Sequence, residues 1–259
     1  MRVLVTGSTG LVGQAIAERL SNEHQVVGLS RGGEVSEDEA DHLGVDLASP
    51  GAAELIGSSE PCAAIVHAAA SLDPQSPESV LTNCIGAFEI VRLAAQWGAE
   101  HLVFISGVTV IGTPSQLPID EDHPVHPPNP YLESKLLGEQ LVEEAGRTGV
   151  RATILRVTAP VGARMPAERV LPTFVREALA GSPLKVAGRG TRRQDYVHVA
   201  DVADAVAGAI QAGADGLFNI GCGETVSNLE LAQRCHRIIR LRNGAVISDQ
   251  SIPPANHAL

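Results

Sequence analysis

The sequence has little positive charge, few aromatic residues and no long hydrophobic run. Its 19 Lys and Arg residues stand against 30 Asp and Glu residues, which gives a formal net charge of −11. Nucleic-acid binding draws on clustered Lys and Arg to neutralise phosphates, so this balance argues against a nucleic-acid partner. No apolar run approaches the ~20 residues that cross a bilayer, and the first apolar residues are too interrupted for a signal-peptide core. We therefore expect no membrane segment.

Cysteine is also scarce. The four cysteines are scattered, without the spacing of a metal site or a redox motif (Cys62, Cys84, Cys222 and Cys235). This distribution favours buried free thiols in a reducing compartment. We therefore expect no bound metal and a cytoplasmic location.

Short apolar segments alternate with segments of helical periodicity through the first 163 residues. Strands are predicted at residues 3–5, 26–29, 63–67, 102–106 and 153–156, with a further strand ending in 45–47, and helices at residues 11–20, 80–97 and 131–144. Continuous apolar strands between helices predict an α/β fold with a parallel sheet buried on both faces. Acidic residues 31–41 and proline-rich residues 118–130 are predicted loops.

Beyond Gly162 the pattern loosens, which predicts a second, smaller lobe over residues 164–259. Helices are predicted at residues 171–180 and 201–210, and strands at 195–199 and 217–220. Residues 195–220 are expected to return to the first domain. Ser227 is a predicted N-cap, with Glu230 at the capping-box position, for a helix reaching about Ile239.

A glycine-rich turn joins the first predicted strand to the first predicted helix, where residues 6–13 spell TGSTGLVG. Gly7 permits a tight turn, Gly10 lets backbone N–H groups reach a pyrophosphate, and Gly13 allows close helix–strand packing. The helix N-terminus then faces the phosphate charge. The spacing is GxxGxxG rather than GxGxxG, and an ordinary turn is the alternative interpretation.

Tyr131 and Lys135 are four residues apart, so on a helix they share one face. Reversible hydride transfer at a carbinol needs a group that exchanges the hydroxyl proton. A phenol titrates near 10 in water. A lysine ammonium and an oxidised nicotinamide ring would bring that pKa closer to physiological pH. The alternative is a surface Tyr/Lys pair, although Tyr131 is one of only two tyrosines.

Further motifs follow the phosphate loop in order along the chain. They are HAAA at 67–70, Asn83, PYLESK at 130–135, Leu155-Arg156 and DYVHVADV at 195–202. Together these motifs resemble the extended branch of the short-chain dehydrogenase/reductase family, also called the NAD-dependent epimerase/dehydratase family, over nearly the whole chain. The resemblance implies a Rossmann-type, doubly wound parallel sheet with a smaller C-terminal substrate lobe. Residues 1–163 would then be the dinucleotide-binding domain and residues 164–259 the substrate-side lobe.

The resemblance also implies roles for individual residues. Tyr131 would exchange the substrate proton, Lys135 would hydrogen-bond the nicotinamide ribose, and Asp46 would meet the adenine edge. His67 would line the cofactor, although it could equally be a packed histidine at a strand end. The full predicted cofactor set is Gly7, Thr9, Gly10, Leu11, Val12, Gly13, Arg31, Asp46, Leu47, His67, Ala68, Ala69, Tyr131, Lys135 and Thr158.

The residue type at the end of the second predicted strand determines which of the two nicotinamide cofactors is preferred. An acidic residue there would bond the ribose 2′-OH of NAD, whereas Arg accommodates the extra phosphate of NADP. The chain has Ser30-Arg31 and no carboxylate before Glu34. We therefore predict NADP, with NAD as the alternative if Arg31 is merely solvated.

The chain departs from the pattern of the family that it resembles at three predicted substrate contacts. Gly107 stands where the family has Ser or Thr. Ser106 and Thr109 are the nearest hydroxyl residues, and we predict Thr109 as the catalytic substitute. Sugar-nucleotide enzymes of this type usually have Asn at the position of Ala159. They usually have Arg at the position of Gln194, which Arg192 or Arg193 could replace only by a change of register.

Three functions remain open. The first is an NAD(P)-dependent epimerase, dehydratase or reductase acting on a sugar nucleotide or a related small molecule. The second is an NADPH-dependent reductase of a non-sugar carbonyl compound, and the third is a cofactor-holding protein with little catalysis. The family resemblance also implies a homodimer through the helices at 80–97 and 131–144. The substrate itself is not readable, because specificity lies in loops.

Overall fold

The computed structural model describes residues 1–31, 42–73, 76–233, 237–242 and 245–251. Its helices are α1 (Leu11–Leu20), α2 (Ala52–Gly57), α3 (Pro77–Trp97), α4 (Pro130–Arg147), α5 (Val170–Leu179), α6 (Val199–Ala212) and α7 (Asn228–Ala232). Its strands are β1 (Arg2–Thr6), β2 (Gln25–Ser30), β3 (His42–Gly44), β4 (Ala64–His67), β5 (His101–Gly107), β6 (Arg151–Val157), β7 (Ala159–Val161), β8 (Leu184–Ala187), β9 (Arg193–His198), β10 (Gly216–Ile220), β11 (Thr225–Ser227), β12 (Arg237–Arg242) and β13 (Ala245–Ser251). None of the helices within these ranges is long and apolar enough to cross a membrane.

A seven-stranded sheet forms the centre of the first of two compact units, which comprises Met1–Pro160 and Val197–Gly221. Its strand order is β10-β6-β5-β4-β1-β2-β3, and every pairing is parallel. The direction of winding reverses between β1 and β4, the topological switch point at which ligands bind in open α/β sheets. The predicted Rossmann-type parallel sheet is confirmed.

Separate apolar clusters cover the two faces of this sheet. On one face, Leu4 and Ile65 pack with Ile90 and Leu93 of α3 and Val142 of α4. On the other face, the neighbouring strand residues pack against α1 and α6 (Val3, Val5, Val66, Ile16, Leu20, Val202, Val206 and Ile210). Alternate residues of β1 therefore serve opposite cores, which is why the strand is apolar throughout rather than alternating.

The second compact unit comprises Val161–Tyr196 and Cys222–Leu259. Phe174 of α5 packs with Leu184, Val186 and Ala232 in its small core. Strands β8, β12 and β13 form a three-stranded sheet, in which β12 runs parallel to β8 and antiparallel to β13.

Two boundary predictions are wrong. The third strand ends at Gly44 rather than at residues 45–47, because the Asp46 carboxylate accepts the Ala48 amide (3.0 Å) and turns the chain. Ser227 and Glu230 do form the predicted capping box, but α7 ends at Ala232 and Ile239 lies in β12. Backbone pairing with two neighbouring strands has overridden the helical periodicity there. Most of the predicted acidic loop, residues 32–41, lies outside the described residues.

Candidate functional site

The phosphate loop is a tightly packed turn between β1 and α1. Gly7 has a φ of +67°, and a Cβ there would lie 2.8 Å from the backbone of Ala69. A Cβ on Gly13 would lie 2.1 Å from the carbonyl oxygen of Gly7. Glycine is therefore required at positions 7 and 13 by the protein's own backbone.

Gly10 differs from these two glycines. Its φ is −84°, and the nearest atom to a Cβ there would be the Gly7 carbonyl oxygen at 3.2 Å. Gly10 and its neighbour Thr9 are exposed, and α1 starts at the next residue without a side-chain cap. The first amides of α1, from Leu11 and Val12, lack carbonyl partners within the helix. The missing side chain at Gly10 leaves room in front of these amides, which is the geometry a pyrophosphate needs.

The segment after β4 packs directly on the phosphate loop. The Thr6 hydroxyl accepts the Ala69 amide (3.1 Å) and shares a hydrogen bond with His67 Nδ1 (2.8 Å). His67 is buried, and burial together with the nearby Lys135 ammonium lowers its pKa to about 3. The side chain is therefore a neutral, packed histidine at a strand end, while Ala68 and Ala69 are half-buried beside Gly7.

The carboxyl ends of β2 and β3 carry polar residues. Ser30 is buried and its Oγ lies 3.2 Å from His42 Nε2, whereas Arg31 is exposed. Asp46 is exposed, while Leu47 is buried in the core beneath α3. An exposed cation and an exposed carboxylate thus lie just beyond neighbouring strands at the edge of the sheet where ligands bind in this architecture.

Helix α4 carries Tyr131 in its first turn. Pro130 precedes it at N1, and the Asn129 side chain caps the helix by accepting the Leu132 amide (3.0 Å). The Tyr131 ring is half-buried and packs against a small cluster that includes Val110 and Ile111. The positive end of the helix dipole favours a negative charge at this position.

Lys135 lies one turn further along α4 and is buried. Its Nζ donates to the Ile105 carbonyl oxygen (2.7 Å) and lies 4.3 Å from the centroid of the Phe104 ring. Burial lowers the pKa of Lys135 to about 8, against the opposing influence of the Glu139 carboxylate. The predicted shared face of Tyr131 and Lys135 is present in a continuous helix.

Asn83 of α3 connects the segment after β4 to α4. Its Oδ1 accepts the Ser71 amide (2.7 Å), and its Nδ2 donates to the Ser71 carbonyl (3.1 Å) and to Ser134 Oγ (3.0 Å). Ser134 in turn donates to the Tyr131 carbonyl (2.7 Å). These bonds fix the rotation of α4 relative to the phosphate-loop side of the sheet.

A buried ion pair lies beside Lys135. Arg156 of β6 donates to Glu139 of α4 from Nε (3.1 Å) and Nη2 (2.7 Å), and Ser106 donates to the same carboxylate. All three residues are at most 5% exposed. Sequence reasoning missed Glu139, although its position four residues after Lys135 puts it on the same helix face.

The position of Gly107 is open to substitution by a hydroxyl. Its backbone is extended, and a Cβ there would lie 3.5 Å from Thr109 Oγ1. The exposed Thr109 hydroxyl therefore lies in van der Waals contact with the place that the Cβ of a side chain at position 107 would take. Ser106, the other predicted substitute, is committed to Glu139.

Other residues with predicted cofactor or substrate contacts form hydrogen bonds to residues of their own unit. Arg193 donates to Thr225 and pairs with Glu230 (2.9 Å). Gln194 Oε1 accepts the Tyr196 hydroxyl (3.2 Å). Thr158 donates its amide to Ile220, and its buried Oγ1 has no hydrogen-bond partner among the described residues. Of the two predicted arginines, the exposed Arg192 is the one outside these contacts.

Known proteins resemble the chain over most of its length. It is 30% identical to the UDP-glucose 4-epimerase of Mycolicibacterium smegmatis, over 98% of this chain and 86% of that protein. The NAD⁺ complex of the Bordetella bronchiseptica enzyme WbmH matches with 28% identity and a TM-score of 0.77, covering 90% of this chain and 79% of that one. The NAD complex of Thermus thermophilus UDP-glucose 4-epimerase matches with 25% identity and a TM-score of 0.79, covering 98% and 91%.

The model of the NAD dependent epimerase/dehydratase family matches residues 3–221. This span contains the phosphate loop, the helix with Tyr131 and Lys135, and all seven strands of the central sheet. The chain therefore belongs to the NAD-dependent epimerase/dehydratase family.

Proposed function

We propose that the protein is an NAD(P)-dependent oxidoreductase that epimerises, or otherwise oxidises and reduces, a hydroxyl carbon of a nucleotide-linked sugar. The observation that carries the proposal is the placement of Lys135 and Tyr131 on one helix whose rotation Asn83 ties to the segment packed on the phosphate loop. The UDP-glucose 4-epimerases among the relatives support a sugar nucleotide as the substrate class.

The residues of the phosphate loop fit a dinucleotide. Gly10 and the uncapped N-terminus of α1 would hold the pyrophosphate, Ala68 and Ala69 would line the adjoining wall, and Lys135 would reach the nicotinamide ribose. A dinucleotide held by these residues would supply a nicotinamide for reversible hydride transfer at the substrate carbinol. Tyr131 removes the hydroxyl proton and returns it, with the dipole of α4 and the Lys135 ammonium stabilising the phenolate.

The test is direct. The purified protein is incubated with UDP-glucose, UDP-galactose or UDP-N-acetylglucosamine and either NAD⁺ or NADP⁺, and the sugar protons are followed by NMR. Conversion to the C4 epimer is the expected result, with a deuterium label at the oxidised carbon retained in the product, because the hydride that is removed there is returned to the same carbon. No turnover of any of these sugars, with retained cofactor found by mass spectrometry, would favour the cofactor-holding alternative.

We further propose that NADP is the preferred cofactor, although the structures of WbmH and of the Thermus thermophilus epimerase hold NAD. The first two positions at the end of β2 are Ser30 and the exposed Arg31, so neither offers a carboxylate to a ribose 2′-OH. Arg31→Ala should erase most of the preference for NADPH over NADH, because a charge-assisted phosphate contact is worth roughly 1.5–3 kcal/mol, or about 10- to 150-fold in affinity. Calorimetric titration measures both cofactors. Arg31→Lys, which keeps the charge, should retain part of the preference, and equal affinities in the unmutated protein would refute the NADP proposal.

Thr109 is proposed to supply the hydroxyl that orients the substrate oxygen. Thr109→Val should lower turnover about 10- to 100-fold, because a hydrogen bond to a group that becomes charged is worth about 1.5–3 kcal/mol. Gly107→Ser in the same background should restore much of the loss, since a Cβ at Gly107 makes only ordinary contacts. Steady-state kinetics of the three proteins check this, and full turnover by Thr109→Val would remove the residue from the site.

Three further proposals follow from the family resemblance and the composition: a substrate-side lobe, a homodimer and a cytoplasmic location. We propose that residues 164–259 form the substrate-side lobe, as the family resemblance implies. A homodimer would bury the exposed apolar residues Leu81 and Phe88 of α3 and Leu137 of α4, which are 60%, 50% and 41% exposed. Cys62, Cys84 and Cys222 are free thiols, which supports the proposed cytoplasmic location.

A further inference from the structure

Lys135 and Glu139 bind consecutive residues of β5. Lys135 Nζ donates to the Ile105 carbonyl oxygen, and the Glu139 carboxylate accepts the hydroxyl of Ser106. The two charged groups thus lie over the same short stretch of strand, from one face of α4. Arg156, the register partner of Ser106 on β6, donates to both oxygens of the same carboxylate, from Nε to Oε1 and from Nη2 to Oε2.

We propose that Glu139 and Arg156 are positioning residues that set the charge of Lys135, with Glu139 keeping the lysine an ammonium and Arg156 limiting how strongly it does so. The inference deepens the proposed function, because the ammonium is the group that would hold the nicotinamide ribose and stabilise the Tyr131 phenolate. A single carboxylate stands against two buried cations, because Glu139 pairs directly with Arg156 and acts on Lys135 only through space. The cluster therefore carries one uncompensated positive charge, which a phenolate at Tyr131 would neutralise.

The other charged groups around Lys135 cannot take over this role. His67 is neutral at physiological pH, and the 3₁₀ turn Val108–Ile111 has no titratable side chain. On α3, burial raises the pKa of the Cys84 thiol, and Glu89 is bound to Arg92 and the Ala53 amide. Tyr131 lies on the same helix as Lys135 and gains charge only when it gives up its proton. Glu139 is thus the one carboxylate that we find directed at this region among the described residues.

Simple scaffolding would not require these charges. A buried ion pair loses much of its Coulomb energy to desolvation, and apolar residues of similar volume often serve stability as well or better. Lys135 adds a third charge between α4 and the sheet. The comparison with apolar residues then concerns the charge of this lysine as well as stability. Removing the carboxylate and removing the guanidinium should then move the charge of Lys135 in opposite directions, whereas loss of packing would give no such opposite effects.

The chain offers an unusually clean probe, because Lys135 and Lys185 are its only lysines. Protein labelled with ¹³C and ¹⁵N in lysine gives two side-chain signals, which Lys185→Arg assigns. Titration from pH 6 to pH 11 without cofactor or substrate then measures the pKa of Lys135, with exposed Lys185 as the internal control. No enzymatic activity is needed, so failure of the proposed reaction and failure of this inference are separable.

Glu139→Gln should lower the pKa of Lys135 by on the order of 1–2 pH units, as expected for the loss of an opposite charge one helical turn away. Arg156→Gln should raise it, and the charge-balanced double variant should fall between wild type and Glu139→Gln. The double variant avoids an unpaired buried charge and covers the case in which a single variant does not fold. Nicotinamide cofactor affinity should weaken as pH rises through each measured value. Unchanged Lys135 titration in Glu139→Gln, shifts of one sign in both single variants, or a pKa in the double variant above that of wild type would overturn the proposal.

Discussion

Tyr131→Phe should lower turnover of the sugar nucleotide by roughly 10²–10⁴-fold, the usual contribution of a positioned general acid or base. The substitution keeps the ring that packs against the Val110 and Ile111 cluster and removes only the hydroxyl. Cofactor affinity should change little, so kcat falls while cofactor binding stays nearly constant. Stopped-flow measurement of hydride transfer and fluorescence titration of the cofactor separate the two effects.

Tyr196 supplies the matched control, because it is the only other tyrosine and its hydroxyl binds Gln194 in the second unit. Tyr196→Phe should leave the hydride-transfer step within about twofold of wild type, since no reacting proton is assigned to it. Lys135→Met should differ from both variants by weakening cofactor binding as well. If Tyr131→Phe retained full turnover, the proton would have to come from elsewhere and the proposed mechanism would fail.

Gly10→Val should abolish dinucleotide binding while leaving the fold intact. A valine side chain would fill the space in front of the first amides of α1, where the pyrophosphate is proposed to lie. Among the described residues, the one atom outside its chain neighbours that lies within 4 Å of such a Cβ is the Gly7 carbonyl oxygen at 3.2 Å, so the loop has little to rearrange. Calorimetry should therefore show no cofactor binding, and thermal unfolding should remain close to that of wild type.

Two other glycines make the comparison specific. Gly208 is exposed on α6 with nothing within 4 Å of a Cβ, so Gly208→Val should leave both cofactor binding and folding unchanged. Gly13→Ala should damage folding itself, because its Cβ would lie 2.1 Å from the Gly7 carbonyl oxygen. Normal cofactor binding by Gly10→Val would place the dinucleotide away from this loop.

The central sheet was predictable because its signals are local. Apolar strands such as residues 102–106 alternate with amphipathic helices, and this pattern specifies the parallel architecture without long-range information. Helix α1 begins and ends where its periodicity predicts. The strand β12 was not predictable in the same way, because pairing with β8 and β13 depends on partners distant in the sequence.

The site was predictable only where a motif marks it. Tyr131 and Lys135 follow from their spacing, and the phosphate loop follows from its glycines and position. The buried interaction of Glu139 with Arg156 leaves no comparable sign, since an acidic residue in a helix is usually solvated. Nor could the sequence show that the Thr109 hydroxyl approaches the place of a side chain at Gly107, because that depends on the turn between them.

The split composition of the first unit has a consequence for synthesis on the ribosome. β10 and α6 belong to that unit but are synthesised only after the 36 residues of Val161–Tyr196. Until then β6 lacks its neighbouring strand β10, and one face of the sheet lacks α6, one of the two helices that pack on it. Until α6 has left the exit tunnel, the apolar side chains Val103 and Ile105 of β5, which pack in the same cluster as Val202 and Val206 of α6, stay open to water. A nascent chain halted near Pro160 would thus be an incomplete domain with exposed apolar surface. Chaperone binding should therefore peak between the synthesis of Pro160 and that of Gly221.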